Sequence, residues 1–248
     1  MKRLFLTLLA VLAGSAAGSS VGATCRDMTF EAAPYTVCEA HVGDDLRLFL
    51  NGSYGTYGGF PALQADLATR GQALDFAMNA GMYQPDLSPV GLYVEDGRQV
   101  TPLITSDGPG NFGLLPNGVF CIGPTRFSVV ESRAFARKPP PCRYATQSGP
   151  MLVIAGKLHP LFKSASPSLH IRNGVGVSKD GSTAYFAISN RAVNFAAFAR
   201  LFRDGLHTPN ALYFDGSVSR LMAPELRRSG AGFAIGPMVG LVVPKAGR

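Results

Sequence analysis

After residue 23 the sequence has no long apolar run. Glycine, proline or a charged residue interrupts every later apolar stretch well before the roughly 20 residues that a membrane-spanning helix requires. We therefore expect no transmembrane span.

Like charges are not clustered either. The 23 basic and 16 acidic residues are scattered along the chain, and no block of about five or six residues carries one sign. Nucleic-acid binding needs a concentrated basic patch, so no nucleic-acid partner is predicted.

Several signatures of cofactor and nucleophile chemistry are also absent. The sequence has neither a Cys-x-x-Cys motif nor paired histidines at the spacing of zinc ligands, so zinc binding is not favoured. Neither a Gly-x-Ser-x-Gly nucleophile motif nor a Gly-x-x-x-x-Gly-Lys phosphate loop occurs. Asp107 and Asp215 could ligate calcium, but neither stands in a dedicated calcium loop. We expect no metal site and no cofactor.

The N-terminus has the pattern of a secretory signal peptide. Met1-Lys2-Arg3 is a basic start, an apolar run follows at 4–13, and small residues lead to Ala23. We expect residues 1–23 to be removed and residues 24–248 to be periplasmic or secreted. Without Lys2 and Arg3, 21 basic residues face 16 acidic ones, a net charge of +5.

Four cysteines follow the predicted signal peptide: Cys25, Cys38, Cys121 and Cys142. An even number of cysteines in an oxidising compartment favours two disulfide bonds. Three pairings are open, and proximity along the chain favours Cys25–Cys38 and Cys121–Cys142.

Short β-like runs dominate the mature sequence. Its glycines and prolines, 29 and 18 in the whole chain, fall between apolar stretches, as in strand-rich domains. A hairpin is predicted over 90–103, with its turn at Glu95-Asp96-Gly97-Arg98, and a last strand over 232–243.

Two segments have helical spacing. One covers 61–74, with Gly71 as a candidate end, and the other runs from the N-cap Asn194 to about Asp204. Two helices among many strands predict an α+β fold, a single domain with a large, mostly antiparallel sheet system and a few flanking helices.

Four segments share one design, a short apolar strand that runs into small and polar residues. They are 77–83 (AMNAGMY), 146–150 (TQSGP), 170–176 (HIRNGVG) and 210–221 (NALYFDGSVSRL). A strand end holds a side chain rigidly, and the small residues let a ligand approach the backbone. The glycine-rich stretch at 106–113 is predicted to be a loop that covers a pocket.

These segments resemble those of the phosphodiester glycosidase family, which includes the lysosomal enzyme that uncovers mannose 6-phosphate. The resemblance is closer to the exported bacterial branch and covers nearly all of the mature chain. The blocks that match the family pattern are Asn79 with Gly81, Ser148-Gly149-Pro150, Arg172 before a Gly-Val strand, and Asp215-Gly216 with Ser219.

The last block departs from the family pattern of Asp-Gly-Gly-Gly-Ser. Ser217 and Val218 replace two of its glycines. Valine does not adopt the positive φ angles open to glycine. This departure predicts a turn of different shape and points to a substrate different from that of the lysosomal enzyme.

The resemblance implies hydrolysis of a sugar-1-phosphodiester at the anomeric carbon. A phosphate ester leaves as a stable anion, so positive charge near its oxygens matters more than a second carboxyl group that protonates it. In this interpretation Asp215 acts as base, nucleophile or oxocarbenium stabiliser, and Arg172 clamps the phosphate. The expected substrate-binding residues are Asn79, Gln147, Ser148, Gly149, Gly216, Ser217 and Ser219.

Each assignment has a structural alternative. Arg172 could form a structural salt bridge, for which Asp215 is a candidate partner, Asn79 could cap a turn at a strand end, and Gln147 and Ser148 could be structural. His170 lies two residues before Arg172, where it is either a proton carrier or, the favoured alternative, a surface histidine.

Two functions therefore stand at this point. The leading one is an exported hydrolase that cleaves a sugar-phosphodiester. The alternative is a binding module that holds an anionic glycan or cell-wall fragment without turning it over.

Overall fold

The computed structural model describes residues 25–215 and 218–245. The predicted signal peptide and two predicted site residues, Gly216 and Ser217, lie outside the described residues. No helix in the described ranges is both long and apolar enough to span a membrane.

Short strands make up most of the described chain. In chain order they are β1 (Cys25–Phe30), β2 (Ala33–His41), β3 (Leu46–Phe49), β4 (Asn51–Gly52), β5 (Gly55–Thr56), β6 (Gln72–Asn79), β7 (Tyr93–Glu95), β8 (Arg98–Thr101), β9 (Gly118–Ile122), β10 (Phe127–Glu131), β11 (Tyr144–Ser148), β12 (Met151–Ile154), β13 (Lys157–Leu158), β14 (Asn173–Val177), β15 (Thr183–Ser189), β16 (Asn210–Asp215), β17 (Leu221–Ala223), β18 (Arg228–Ser229) and β19 (Met238–Pro244).

The helices are few and short. They are α1 (Phe60–Thr69), α2 (Gly110–Gly113), α3 (Ser132–Arg137) and α4 (Phe195–Arg200), with a π-helical turn at Leu201–Gly205 and a 3₁₀ turn at Pro224–Leu226.

Three antiparallel sheets form the body of the domain. Sheet I has the order β1-β2-β15-β14-β16-β12-β13, sheet II the order β10-β9-β11-β7-β8, and sheet III the order β18-β17-β6-β19-β3. The predicted α+β class, with a large antiparallel sheet system in one domain, is confirmed.

The largest buried cluster joins all three sheets. Phe186 and Phe214 reach it from sheet I, Phe120 from sheet II, and Phe76 from sheet III. The Phe120 ring lies 5.6 Å from that of Phe186, edge on. Because side chains alternate along a strand, the other faces of the sheets must also be covered. Helix α4 covers sheet I, and α1 covers sheet III.

The predicted hairpin and disulfides are confirmed. β7 and β8 pair across a turn in which Asp96 and Gly97 have φ angles of 49° and 76°, as a two-residue hairpin turn with positive φ requires. Disulfide bonds join Cys25 to Cys38 across the β1–β2 pair, and Cys121 to Cys142.

Helix α1 ends earlier than the full predicted span of 61–74. Gly71, the candidate end, has a φ of 67°, and its N–H donates to the Ala68 carbonyl. A glycine in this left-handed conformation stops a helix. The chain then turns directly into β6, where Leu74 is a strand residue that packs with Leu63 and Leu67 of α1.

Three other boundaries differ from expectation. Asn194 caps α4 through a bond from the Ala197 N–H, as predicted, but the α-helix changes at Leu201 to a π-helical turn. The last strand begins at Met238 rather than 232. The chain before it lies next to the segment that leads into α1, where the Ile235 N–H donates to the Gly58 carbonyl. The 106–113 stretch contains the short helix α2.

We predict that Glu95 makes stability depend on pH. Burial in β7 raises its pKa from 4.5 to about 7. A carboxyl group whose pKa rises on folding stabilises the protonated folded state, and this contribution is lost as pH rises through the folded pKa. After allowance for solvent screening, wild type should lose about 1–2 kcal/mol of unfolding free energy between about pH 5 and pH 8 relative to Glu95→Gln.

Urea denaturation across this pH range measures the difference between the two proteins. Glu225→Gln, at an exposed position in the 3₁₀ turn, is the matched control and should follow wild type. Parallel pH profiles for wild type and Glu95→Gln would show that burial does not hold the proton on Glu95.

Candidate functional site

The ends of four strands from all three sheets meet at one place. Asn79 ends β6 of sheet III, Ser148 ends β11 of sheet II, and Asn173 begins and Asp215 ends neighbouring strands of sheet I. All four residues are buried, and Asp215 retains 8% of its accessible surface. The structure thus brings together three predicted site residues and one that was not predicted.

A β-bulge shapes the end of β16. Asn173 pairs with Asp215 but Gly174 pairs with Tyr213, so Phe214 is an extra residue opposite β14. A bulge re-aims the side chains beside it and interrupts the ladder of backbone hydrogen bonds. The groups released from the ladder are buried here and need other partners.

Side chains supply these partners. The Asp215 N–H donates to Asn173 Oδ1 at 3.2 Å. The Phe214 carbonyl accepts from Ser148 Oγ at 2.8 Å, and the Asp215 carbonyl accepts from Ser219 Oγ at 2.7 Å. The predicted residues Ser148 and Ser219 therefore hold the backbone on which the Asp215 carboxylate stands.

Asn79 and Asn173, which we call the asparagine pair, join sheet III to sheet I. Asn173 Nδ2 donates to the Asn79 carbonyl at 2.8 Å and to Asn79 Oδ1 at 3.0 Å. Asn79 Oδ1 also accepts from the Arg220 N–H at 2.8 Å. Both side chains are fully buried, so each bond is made in a low-dielectric setting where its loss is costly.

Two tyrosines lie within electrostatic reach of Asp215. Burial is the main cause of the raised pKa of both Tyr83 and Tyr213, and the Asp215 charge raises each further. Both phenols are therefore neutral hydrogen-bond donors near neutral pH. Tyr83 donates to the Ala234 carbonyl at 2.9 Å.

Arg172 is fully buried behind Tyr213. Its guanidinium donates to the carbonyls of Val193 and Ser168 at 2.8 and 3.0 Å and to the Tyr213 hydroxyl at 3.3 Å. The guanidinium carbon lies 3.6 Å from the centre of the Phe195 ring. None of these three acceptors is a carboxylate. The geometry favours a positioning role, in which Arg172 orients Tyr213 toward the Asp215 region.

Gln147 and Gly149 hold loops together. Gln147 Oε1 accepts from the N–H groups of Leu92 and Ile104, both at 3.0 Å, and Nε2 donates to Ser132 Oγ at 2.8 Å. Gly149 lies against Asn117, where a Cβ atom would come within 2.6 Å of the Asn117 Cβ. These contacts favour the structural alternative for Gln147.

Two other candidates lie at the surface. His170 is exposed, and its backbone pairs with that of Val193. Asp107 is exposed and forms a salt bridge with Arg133 at 3.2 Å. Within the part of the chain that the structure describes, no group of three or more His, Cys, Asp or Glu residues is placed to hold a metal ion.

Sequence reasoning missed Asn173, Tyr83 and Arg220. Asn173 directly follows Arg172 in a segment that was singled out, and an amide at the start of an apolar strand was the available signal. Tyr83 ends another such segment. The buried Arg220 gave no signal, because its guanidinium is held by the carbonyls of Gly230 and Phe233 in a loop that only the fold brings near.

Comparison with known proteins gives the family. A model of the phosphodiester glycosidase family matches residues 72–241. The chain is 35% identical over 224 residues to the uncharacterized protein YigE of Escherichia coli (strain K12), which covers 89% of this chain and 85% of YigE. This chain therefore belongs to the phosphodiester glycosidase family, as the resemblance implied.

Solved structures share the fold. The catalytic domain of zebrafish N-acetylglucosamine-1-phosphodiester alpha-N-acetylglucosaminidase, auto-inhibited by its pro-peptide, is 15% identical with a TM-score of 0.55, over 88% of this chain and 81% of that one. A hypothetical protein from Synechocystis is 14% identical with a TM-score of 0.57, over 89% of this chain and 62% of that one.

The asparagine pair generates a stability prediction. Asn173→Ala removes the acceptor of the buried Asp215 N–H and the donor to Asn79. It should lower the free energy of unfolding by about 2–4 kcal/mol, because buried polar groups lose their partners. Urea denaturation measures this loss. The control Asn111→Ala, at an exposed position in α2, should change the free energy of unfolding by less than about 0.5 kcal/mol. Equal stability losses in Asn173→Ala and Asn111→Ala would contradict the special role of Asn173.

A conservative substitution separates the two roles of Arg172. Arg172→Lys keeps the charge but loses the planar fork and the stacking on Phe195. A positioning role predicts a stability loss of about 2–4 kcal/mol in thermal or urea unfolding, whereas exposed Arg137→Lys should behave as wild type. A variant with wild-type stability that has lost only activity would support the phosphate clamp instead.

Proposed function

We propose that this chain hydrolyses a sugar-1-phosphodiester at the anomeric carbon, releasing the sugar and a phosphomonoester. Family membership supports hydrolysis of this bond type. The observation that carries the proposal is the Asp215 carboxylate at the meeting point of the three sheets, on backbone held by Asn173, Ser148 and Ser219.

This arrangement suits a leaving group that is already an anion. A glycoside with an alkoxide leaving group needs an acid to protonate it, and ordinary glycosidases supply a second carboxyl group for this step. A phosphate needs no such proton. A single carboxylate suffices to deprotonate water, to attack the anomeric carbon, or to stabilise the developing oxocarbenium ion.

The neighbouring groups have matching roles. Tyr213 keeps its proton because burial and the Asp215 charge raise its pKa. Tyr83 also keeps its proton but donates it to the Ala234 carbonyl. The Tyr213 hydroxyl accepts a bond from Arg172, so its own proton serves another acceptor. Donors fixed in place before reaction stabilise charge that develops in the transition state. Arg220, 8% exposed, binds Asn79 through its backbone N–H, while its guanidinium is held by the carbonyls of Gly230 and Phe233.

We further propose that the protein acts outside the cytoplasm. The basic start and apolar run of residues 1–23 have the form of a signal peptide. Two disulfide bonds are typical of an oxidising compartment. In this setting the substrate is a sugar-phosphodiester of the envelope or the surroundings of the cell.

Asp215→Asn tests the reaction. The amide keeps the shape of the side chain but cannot act as base or nucleophile, so turnover should fall by about 1,000-fold or more while the melting temperature stays within a few degrees of wild type. Release of reducing sugar from a panel of sugar-1-phosphodiesters measures turnover. Exposed Asp204→Asn, in the π-helical turn, is the matched control.

The outcomes separate the candidate functions. Saturable binding of a panel member without sugar release would replace the hydrolase by the binding module. Unfolding of Asp215→Asn would assign the residue a structural role. Undiminished turnover by Asp215→Asn would place the chemistry elsewhere.

A further inference from the structure

A cleft lies beside the candidate site. It runs between the ends of β14 and β15 in sheet I and the β17–β18 hairpin of sheet III, with Ile171 and Ser189 on one side and Ser219 and Gly230 on the other. Its volume is about 560 Å³, within the range of about 300–1,000 Å³ that is usual for small-molecule sites. The cleft therefore has room for a ligand group larger than a water molecule.

The lining of this cleft is basic. Arg220, Arg227 and Arg228 all line it, and none of its lining residues in the described ranges is an aspartate or glutamate. Arg228 is held in place, because Nη1 donates to Thr36 Oγ1 at 2.6 Å and to Asn190 Oδ1 at 2.7 Å. Fixed and concentrated positive charge favours an acidic ligand.

Arg227 is the available cation of the cleft. It is exposed, and its guanidinium makes neither a hydrogen bond nor a salt bridge to any described residue. Its backbone has a φ of 55°, a left-handed conformation that arginine adopts at a cost. The planar fork of an arginine matches the oxygens of a phosphate or carboxylate.

Ser219 connects the cleft to the candidate site. It lines the cleft, and its Oγ donates to the Asp215 carbonyl at 2.7 Å and lies 3.2 Å from Asn173 Oδ1. The main chain of Arg220, the next residue, donates to Asn79 Oδ1. Ser219 thus contacts the backbone of Asp215 and also lines the cleft, so the cleft adjoins the candidate site.

We propose that the cleft binds a second acidic group, a phosphate or carboxylate, on the part of the substrate that leaves with the scissile phosphate. This inference rests on the proposed function and narrows its substrate class. The substrate would be a sugar-1-phosphodiester whose alcohol carries another negative charge, as in a repeating anionic polymer. Arg227 binds that charge, and Arg228, held by Thr36 and Asn190, forms part of the wall of the cleft.

Product mimics test the cleft without turnover. Calorimetry at constant ionic strength compares glycerol 3-phosphate, which has one acidic group, with 3-phosphoglycerate and propane-1,3-diyl bisphosphate, which have two. Wild type should bind at least one of the two-group probes about tenfold more tightly, the size expected of one charge-assisted hydrogen bond. The probe that gains affinity tells whether carboxylate or phosphate is the preferred group.

Arg227→Gln should remove most of this gain, and Arg137→Gln, at an exposed arginine of α3, should retain it. Thermal melting checks that both variants are folded. Equal binding of one-group and two-group probes, no binding of any probe, or an equal loss in both variants would overturn the inference. The inference would also be overturned if Arg227→Gln weakened the binding of glycerol 3-phosphate as much as the binding of the two-group probes. Arg227 would then bind the scissile phosphate.

Turnover separates this inference from the proposed function. Arg227→Gln should raise the KM of substrates that carry the second acidic group about tenfold more than the KM of substrates that lack it. Sugar release that is indifferent to the second group would overturn the cleft inference and leave the hydrolase standing. Preferential binding of two-group probes without release of sugar from any diester would leave the cleft standing and overturn the hydrolase.

Discussion

The hydrogen bonds between Asn79 and Asn173 are the interaction on which the candidate site depends. Three sheets end at this point, and backbone groups at strand ends leave their ladders inside the protein, away from water. At the bulge in β16, the hydrogen bond of the Asp215 N–H is made to a side chain. One amide side chain can accept and donate at once, so Asn173 satisfies this N–H while it binds Asn79. Since Asn79 also accepts from the Arg220 N–H, two amides fix the relative positions of sheet I and sheet III and bind the chain both at Asp215 and at Arg220.

The same packing explains how a fully buried arginine is accommodated with no carboxylate among its three hydrogen-bond acceptors. Burial lowers the pKa of Arg172, and the cost of desolvating its charge is offset by two carbonyls, a phenol and the face of Phe195. The bond to Tyr213 then orders a side chain that lies within electrostatic reach of Asp215. Arg220 and Arg227, which follow residues 216–217 in the chain, line the basic cleft instead.

Much of the fold and part of the candidate site could be predicted from the sequence, because local sequence patterns determine them. Asp96-Gly97 specifies a hairpin turn, Asn194 a helix start, and the two disulfides join the cysteines that are nearest in sequence. Asp215, Ser148, Ser219 and Asn79 were recognised as polar residues at strand ends, and the structure brings them together. What could not be predicted comes from contacts between distant segments. Nothing local in the sequence marks Phe214 as a bulge, shows that Arg172 binds Tyr213 and two carbonyls, or places the loop at 230–233 beside Arg220.

The departure at Ser217 and Val218 and the basic cleft bear on the same step of substrate recognition. Val218 packs against the cluster on the α1 side of sheet III, so the residue that replaces a family glycine anchors the chain that leads to Ser219 and Arg220. Those two residues form the wall shared by the site and the cleft. An enzyme whose leaving group is already stable gains little from a further acid, and it gains more from holding the rest of the substrate in the reactive position. In the proposed function the cleft with its three arginines would provide such a hold, and it would select substrates by the charge beyond the scissile phosphate.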